Sequence, residues 1–185
     1  MGKILKVARM GHPILTQRAK EVDDPTSLHI KGVVDDMLAT MENLGNNIGL
    51  AAPQVHIPLR ILLFKIPRKT NNPRYHLTPE HDPDGVPLTI LINPKLTLIG
   101  DETIETWESC LSVPGLMAKV SRHQSVHYSG TTPEGKQIER TAHGFHARAM
   151  QHEYDHLEGI LFPMRMTDPS QFGFQDEILK HAVGQ

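Results

Sequence analysis

The stretch MQHEYDHLEG, residues 150–159, constrains this chain more tightly than any other. His152 and His156 stand four apart, so on a helix they share a face and can aim two imidazole nitrogens at one cation. The spacing predicts a helix over about residues 145 to 158, stopped by Gly159. Phe145, Ala149, His152, Glu153 and His156 form one stripe of it, and Met150, Tyr154, Leu157 and Leu161 line the adjacent one. With both faces set for burial, the helix is expected to run through the centre of the domain. Burying Glu153 there is costly unless a metal or a water network holds it.

The remaining elements must wrap that helix. Residues 29 to 44 repeat Ile30, Val33, Val34, Met37, Leu38, Met41 and Leu44 at helical spacing, with Asp35, Asp36 and Glu42 opposite. GNNIGLAAPQ reads as a turn entering an extended segment, and RILLFKIP, 60 to 67, as a buried strand ended by proline. Residues 68 to 87, rich in proline and polar side chains, are expected to form a surface loop. TILINPKLTLIG and TIETW read as strands, and VHYSGTTPEGKQIER as a hairpin turning at TTPEG. Strands followed by a late helix, without regular alternation, predict an α+β fold in a single domain spanning 1–185.

Nineteen basic and 21 acidic residues leave a net charge of -2, with no basic footprint for nucleic acid or anionic lipid. No apolar run approaches a membrane span. MGKILKVARMGHPIL lacks the unbroken apolar core of a secretory signal, so a cytoplasmic location is expected. A single cysteine, Cys110, excludes an internal disulfide.

Two imidazoles do not complete a metal site. A third histidine six residues after His156 would suit one class of HExxH protease, but that position is Phe162. Asp176 and Glu177 stand near the distance at which another class places a glutamate, in a polar tail without the accompanying motif. Upstream, TWESCLSVPG carries Cys110, which by itself reads as a small buried hydrophobe.

GLAAPQ, ESCLS and QHEYDHLEG, in that order, closely resemble the three signature motifs of the peptide deformylases, and the resemblance runs from ILKVARMGHPIL to MRMTDPSQFGF. It implies antiparallel β-sheets packed around a central helix carrying HExxH. It also implies removal of the formyl group from the initiator methionine of nascent chains. Carried over by position, Cys110, His152 and His156 would ligate one divalent metal, Fe(II) natively, with Zn, Ni or Co as alternatives. Glu153 would be the acid/base, while the Gln54 amide and the Leu111 backbone N–H would stabilise the oxyanion. Ile48, Gly49, Ser109 and Phe145 would bind substrate, and Glu108 and Arg122 would form an ion pair steadying the cysteine loop. GLAAPQ alone would make Gln54 a strand-edge glutamine, and Phe145 reads equally well as ordinary core.

These roles are chemically coherent. Two imidazoles and a thiolate leave a fourth position for water, which the cation acidifies. Three positions depart from the common pattern: Asn47 and Ser109 where glycines are usual, and Met117 where many members have arginine. They raise a second reading, an amidohydrolase acting on another N-acyl group or a peptidase. A third reading is a non-catalytic protein docking at the ribosome through DPSQFGFQDEILKHAVGQ.

Overall fold

The computed structural model describes residues 2–45, 47–67 and 85–182; most of the surface loop expected over 68 to 87 lies outside them. In chain order the elements are helix α1 (Leu28–Asn43), strands β1 (Gly49–Ala51), β2 (Ile61–Ile66), β3 (Val86–Cys110), β4 (Val113–Thr131) and β5 (Gln137–His143), helix α2 (Gly144–Leu157), strand β6 (Phe172–Phe174) and helix α3 (Gln175–Ala182). All strand pairs are antiparallel, in the order β1-β2-β3-β4-β5, with β6 added to β4 beside Leu116–Ala118. Mixed α+β architecture is thus observed, with one continuous ladder supplying the expected antiparallel sheet around the central helix.

Strand β2 explains why that ladder needs helices on both faces. Side chains alternate along a strand. Leu62, Phe64 and Ile66 therefore face α2, where they meet Ala147, Met150 and Leu157. Ile61 and Leu63 face the other way, onto Ile30, Val34, Met37 and Met41 of α1. Each fully buried aliphatic or aromatic side chain contributes roughly 1.5–3 kcal/mol. An unbroken apolar run such as RILLFKIP is what double burial requires. Helix α1 starts at Ser27, whose hydroxyl accepts from the Ile30 N–H.

Two segments depart from their sequence reading. TILINPKLTLIG and TIETW are not separate strands but parts of the 25-residue β3, irregular between Ile92 and Lys95 and between Ile99 and Thr103. Pro94 has no N–H to give the ladder, and Asn93 absorbs the kink at φ 51°. GLAAPQ is not a turn before a strand. Gly49–Ala51 is itself a strand, paired with Leu62–Phe64, and Ala52–Val55 then coils into a 3₁₀ turn. Only the pairing with β2, distant in sequence, extends those three residues.

Asn93 also ties down the N-terminal arm. Its Oδ1 accepts from the Val22 N–H and its Nδ2 donates to the Val22 carbonyl, each at 2.8 Å. Asn93→Ala is expected to cost about 3 kcal/mol, roughly 1 for each hydrogen bond and about 1 for the left-handed backbone. Chemical denaturation measures this, and Asn93→Gly should recover the backbone part alone.

Candidate metal centre

Strand β3 ends at Cys110 in the tight turn to β4, and this tip meets the side of α2. One Cys110, one His152 and one His156 ligand atom all lie within 4.8 Å of one another. The His156 Nε2 is 3.3 Å from the Cys110 Sγ, and the two imidazole planes stand 85° apart. Helix α2 is buried nearly all the way round, as its two apolar stripes predict. It stops where Gly159 adopts φ 73°; a Cβ there would meet the Thr16 backbone at 2.7 Å.

The imidazoles are held from behind. His152 Nδ1 lies 2.9 Å from the Glu108 Oε2, which makes Nδ1 the protonated nitrogen and leaves Nε2 available to a metal. Glu108 is gripped in turn by Arg122, Nε to Oε1 at 2.7 Å and Nη2 to Oε2 at 2.9 Å. The expected Glu108–Arg122 pair is therefore present. It is no surface pair, since the Arg122 side chain is only 4% exposed.

Gln54 sits on the 3₁₀ turn after β1, almost wholly buried. Its Oε1 accepts from the Ala51 N–H at 2.9 Å, so its amide nitrogen is aimed at the cysteine turn. That Nε2 lies 3.4 Å from the Cys110 Sγ and 3.3 Å from the Ser112 Oγ. The Ser112 N–H also donates to the sulfur, at 3.4 Å. Two N–H donors thus converge on the sulfur.

Glu153 lies beside the histidines, 6% exposed, and its Oε2 has no hydrogen-bond partner among the described residues. Burial pushes its carboxyl up to about 7; positive charge on His152 opposes the shift and Glu108 adds to it. Burial alone would lower His152, but the Cys110 sulfur and Glu108 outweigh it and raise the imidazole well above its usual value. His156 moves the other way, lowered by burial and then by the positive charge of His152 and Arg122. Although burial opposes it, Arg122 and His152 together hold the Glu108 carboxyl well below the usual range.

The anions that stabilise a cationic His152 would stabilise any cation among the same donors. One sulfur and two imidazole nitrogens are the ligands of a mononuclear site that keeps a position open. The unsatisfied Glu153 oxygen beside them fits a water at that position. The residues present fit a divalent ion.

The cleft in front is lined by Ile48, Gly49, Gln54, Glu108, Ser109, Cys110, Leu111, Phe145, His152 and Glu153, so the structure gathers the sequence candidates in one place. Two of the candidates, His156 and Arg122, are not part of that lining and are 1% and 4% exposed. Asn47 and Met117, two of the departures, line it as well. Sequence reading missed Arg148, Thr106, Trp107, Ser112 and Asp155. Arg148, four residues before His152, was detectable by helical spacing; its Nη1 donates to the Thr106 hydroxyl and its guanidinium lies 5.4 Å from the Phe145 ring centre. Ser112 carried no signal, because only the β3–β4 turn brings it to Gln54.

An HExxH helix whose two histidines meet a single cysteine at the edge of a cleft defines a metallohydrolase site of the Cys-His-His class. The polypeptide deformylase family model matches residues 4–172. The chain is 42% identical to peptide deformylase 1 of Nitrosomonas europaea over 175 residues, 95% of this chain and 94% of that one. It is 43% identical to peptide deformylase 2 of Pseudomonas syringae pv. tomato, covering 94% and 93%. The crystal structure of class I type b peptide deformylase from Acinetobacter baumannii bound to Met-Ala-Ser superposes with a TM-score of 0.78 at 35% identity, covering 90% of this chain and all of that one. The chain belongs to the peptide deformylase family, metal-dependent hydrolases that remove N-formyl groups.

Two outcomes follow from the geometry. A Cβ at Gly49 would stand 2.3 Å from the Glu153 Oε1. Gly49→Ala is therefore expected to lower kcat by at least about 100-fold while metal analysis still finds one ion per chain. Divalent ion at about 100 times its Kd should stabilise the fold by about 2.7 kcal/mol, read from unfolding with and without chelator. Because the ion must displace a proton from the elevated His152, apparent affinity in competition titrations should weaken as pH falls.

Proposed function

We propose that the chain works as one catalytic domain in the cytoplasm, deformylating N-formyl-methionyl polypeptides as they emerge from the ribosome. Its ion is Fe(II) natively, with Zn, Ni or Co able to occupy the same ligands Cys110, His152 and His156. The observation carrying this reading is the unsatisfied, buried Glu153 carboxylate beside that triad. When bound, the ion supplies Lewis acidity and a water acidic enough to lose a proton near neutral pH.

The protein groups do the rest. Among the described residues strand β1 pairs on one side only, with β2, and offers its other edge to an extended peptide, Gly49 allowing close approach. Ile48 and Phe145 wall the methionine side chain, and Ser109 borders the channel. Glu153 Oε2 takes the proton from the attacking water and returns it to the departing amine nitrogen as the C–N bond breaks, releasing formate. Gln54 Nε2 transfers one N–H from sulfur or Ser112 to the developing oxyanion, assisted by the Leu111 N–H. A donor of this kind is worth about 2.7–4 kcal/mol of barrier.

Asn47, Ser109 and Met117 in the cleft lining favour a second reading, a shifted preference for another N-acyl peptide. Anaerobically metal-loaded protein is expected to release free amine from formyl-Met peptides faster than from acetyl or unblocked ones. Glu153→Ala should retain the ion and lose about 10²–10⁴ in kcat. Activity no higher than that variant's defeats the first reading, and preference for acetyl peptides replaces it with the second.

A further inference from the structure

Behind His152 the hydrogen bonds do not stop at Arg122. Its third donor, Nη1, reaches the Asp155 Oδ2 at 2.5 Å. Asp155 lies on α2, three residues after His152, so the bonds form a closed circuit from α2 through β3 and β4 and back to α2. Arg165, in the 3₁₀ turn that follows α2, completes it: its Nη2 bonds the Asp155 Oδ1 at 2.6 Å and its Nε the Oδ2 at 3.1 Å. The charges alternate along Glu108, Arg122, Asp155 and Arg165. Glu108, Arg122 and Asp155 are at most 10% exposed, whereas the Arg165 side chain is 45% exposed. Arg165 faces a second groove, lined also by Ser121, His123, Gln151 and Tyr154, on the side of the network away from the cleft.

The geometry points to Asp155 and Arg165 as positioning residues for the metal centre, acting on His152 through Arg122 and Glu108. Three buried members alone carry one excess negative charge, and a buried charge without its partner is costly. Arg165 cancels it from the solvent side, leaving Arg122 free to hold both Glu108 oxygens. The bidentate grip sets the Glu108 carboxylate plane, and that carboxylate sets the rotation of the His152 ring. Residue 165 thereby bears on a ligand nitrogen without touching the cleft. The circuit also locks α2 against the β3–β4 hairpin, which carries the third ligand, Cys110.

This rests on Cys110, His152 and His156 binding a divalent ion, and the test separates the two ideas. The full chain is loaded with Co(II), and three quantities are read: the visible ligand-field spectrum, the rate of Co(II) loss to excess chelator, and kcat and KM for a formyl-Met peptide. Asp155→Asn is expected to release cobalt about tenfold faster, the lower end for a group supporting a metal-bound histidine. Arg165→Met should release it a few-fold faster, with a shifted spectrum, a lower kcat and an unchanged KM, and Arg165→Lys should restore part of each. Arg18→Ala is the control, since Arg18 pairs with Glu158 at the same end of α2 but lies outside the circuit. It should leave spectrum and release rate as in the parent.

A parent chain that shows no cobalt spectrum overturns the metal reading and this inference together. A normal parent spectrum with Arg165→Met indistinguishable from it, or lowered only in melting temperature, overturns this inference alone. Should Asp155→Asn fail to fold, the half-exposed Arg165 pair of variants decides by itself.

Discussion

A helix buried on all sides that nevertheless carries His152, Glu153, Asp155 and His156 imposes the constraint from which the rest of this structure follows. Water cannot satisfy those groups, so protein must. Strand β3 brings Glu108 and Cys110, β4 brings Arg122, and the turn after β1 brings Gln54. Charged residues inside a fold are stable only as parts of complete networks. The long, paired β3 and β4 supply what such a network needs, a rigid hairpin whose tip and stem both reach the helix.

Two buried carboxylate oxygens lack a hydrogen bond among the described residues: Glu158 Oε1, which faces the Arg60 guanidinium at 2.7 Å, and Glu153 Oε2, the one the proposed chemistry uses. Glu153 Oε2 has no protein donor, while every oxygen of Glu108 and Asp155 accepts at least one hydrogen bond. Three carboxylates within one helix and one strand are thus split by environment. Arginine holds Glu108 ionised, Asp155 is bonded by both Arg122 and Arg165, and burial raises Glu153 towards neutrality. That division separates the proposed proton-exchanging group from neighbours whose hydrogen bonds fix the scaffold. Gly49 belongs to the same design, because a side chain there would fill the space Glu153 occupies.

Much of the site was legible in the chain because its motifs are local. His152, Glu153 and His156 declare themselves by helical spacing, and Cys110 stands out as the lone cysteine between them and GLAAPQ. The apolar runs of α1, β2 and α2 were equally readable, since burial on a periodic element leaves a periodic trace. Arg148 and Asp155 had the right spacing too, but an arginine or aspartate on a helix is usually solvated, and nothing local distinguishes the exception.

Residue order alone determined which side chains could share a helix face, which strand had to be buried on both sides, and which atoms could ligate a soft divalent ion. These depend on bonds and on spacings of a few residues. Tertiary structure alone decided that Gly49–Ala51 is a strand, that β3 is continuous through Pro94, that Ser112 reaches Gln54, and that Arg165 closes a circuit ending at His152. Each of those depends on a partner ten or more residues away, or on a turn whose direction is set by packing. No local pattern encodes the energy of a contact made only after the chain has folded.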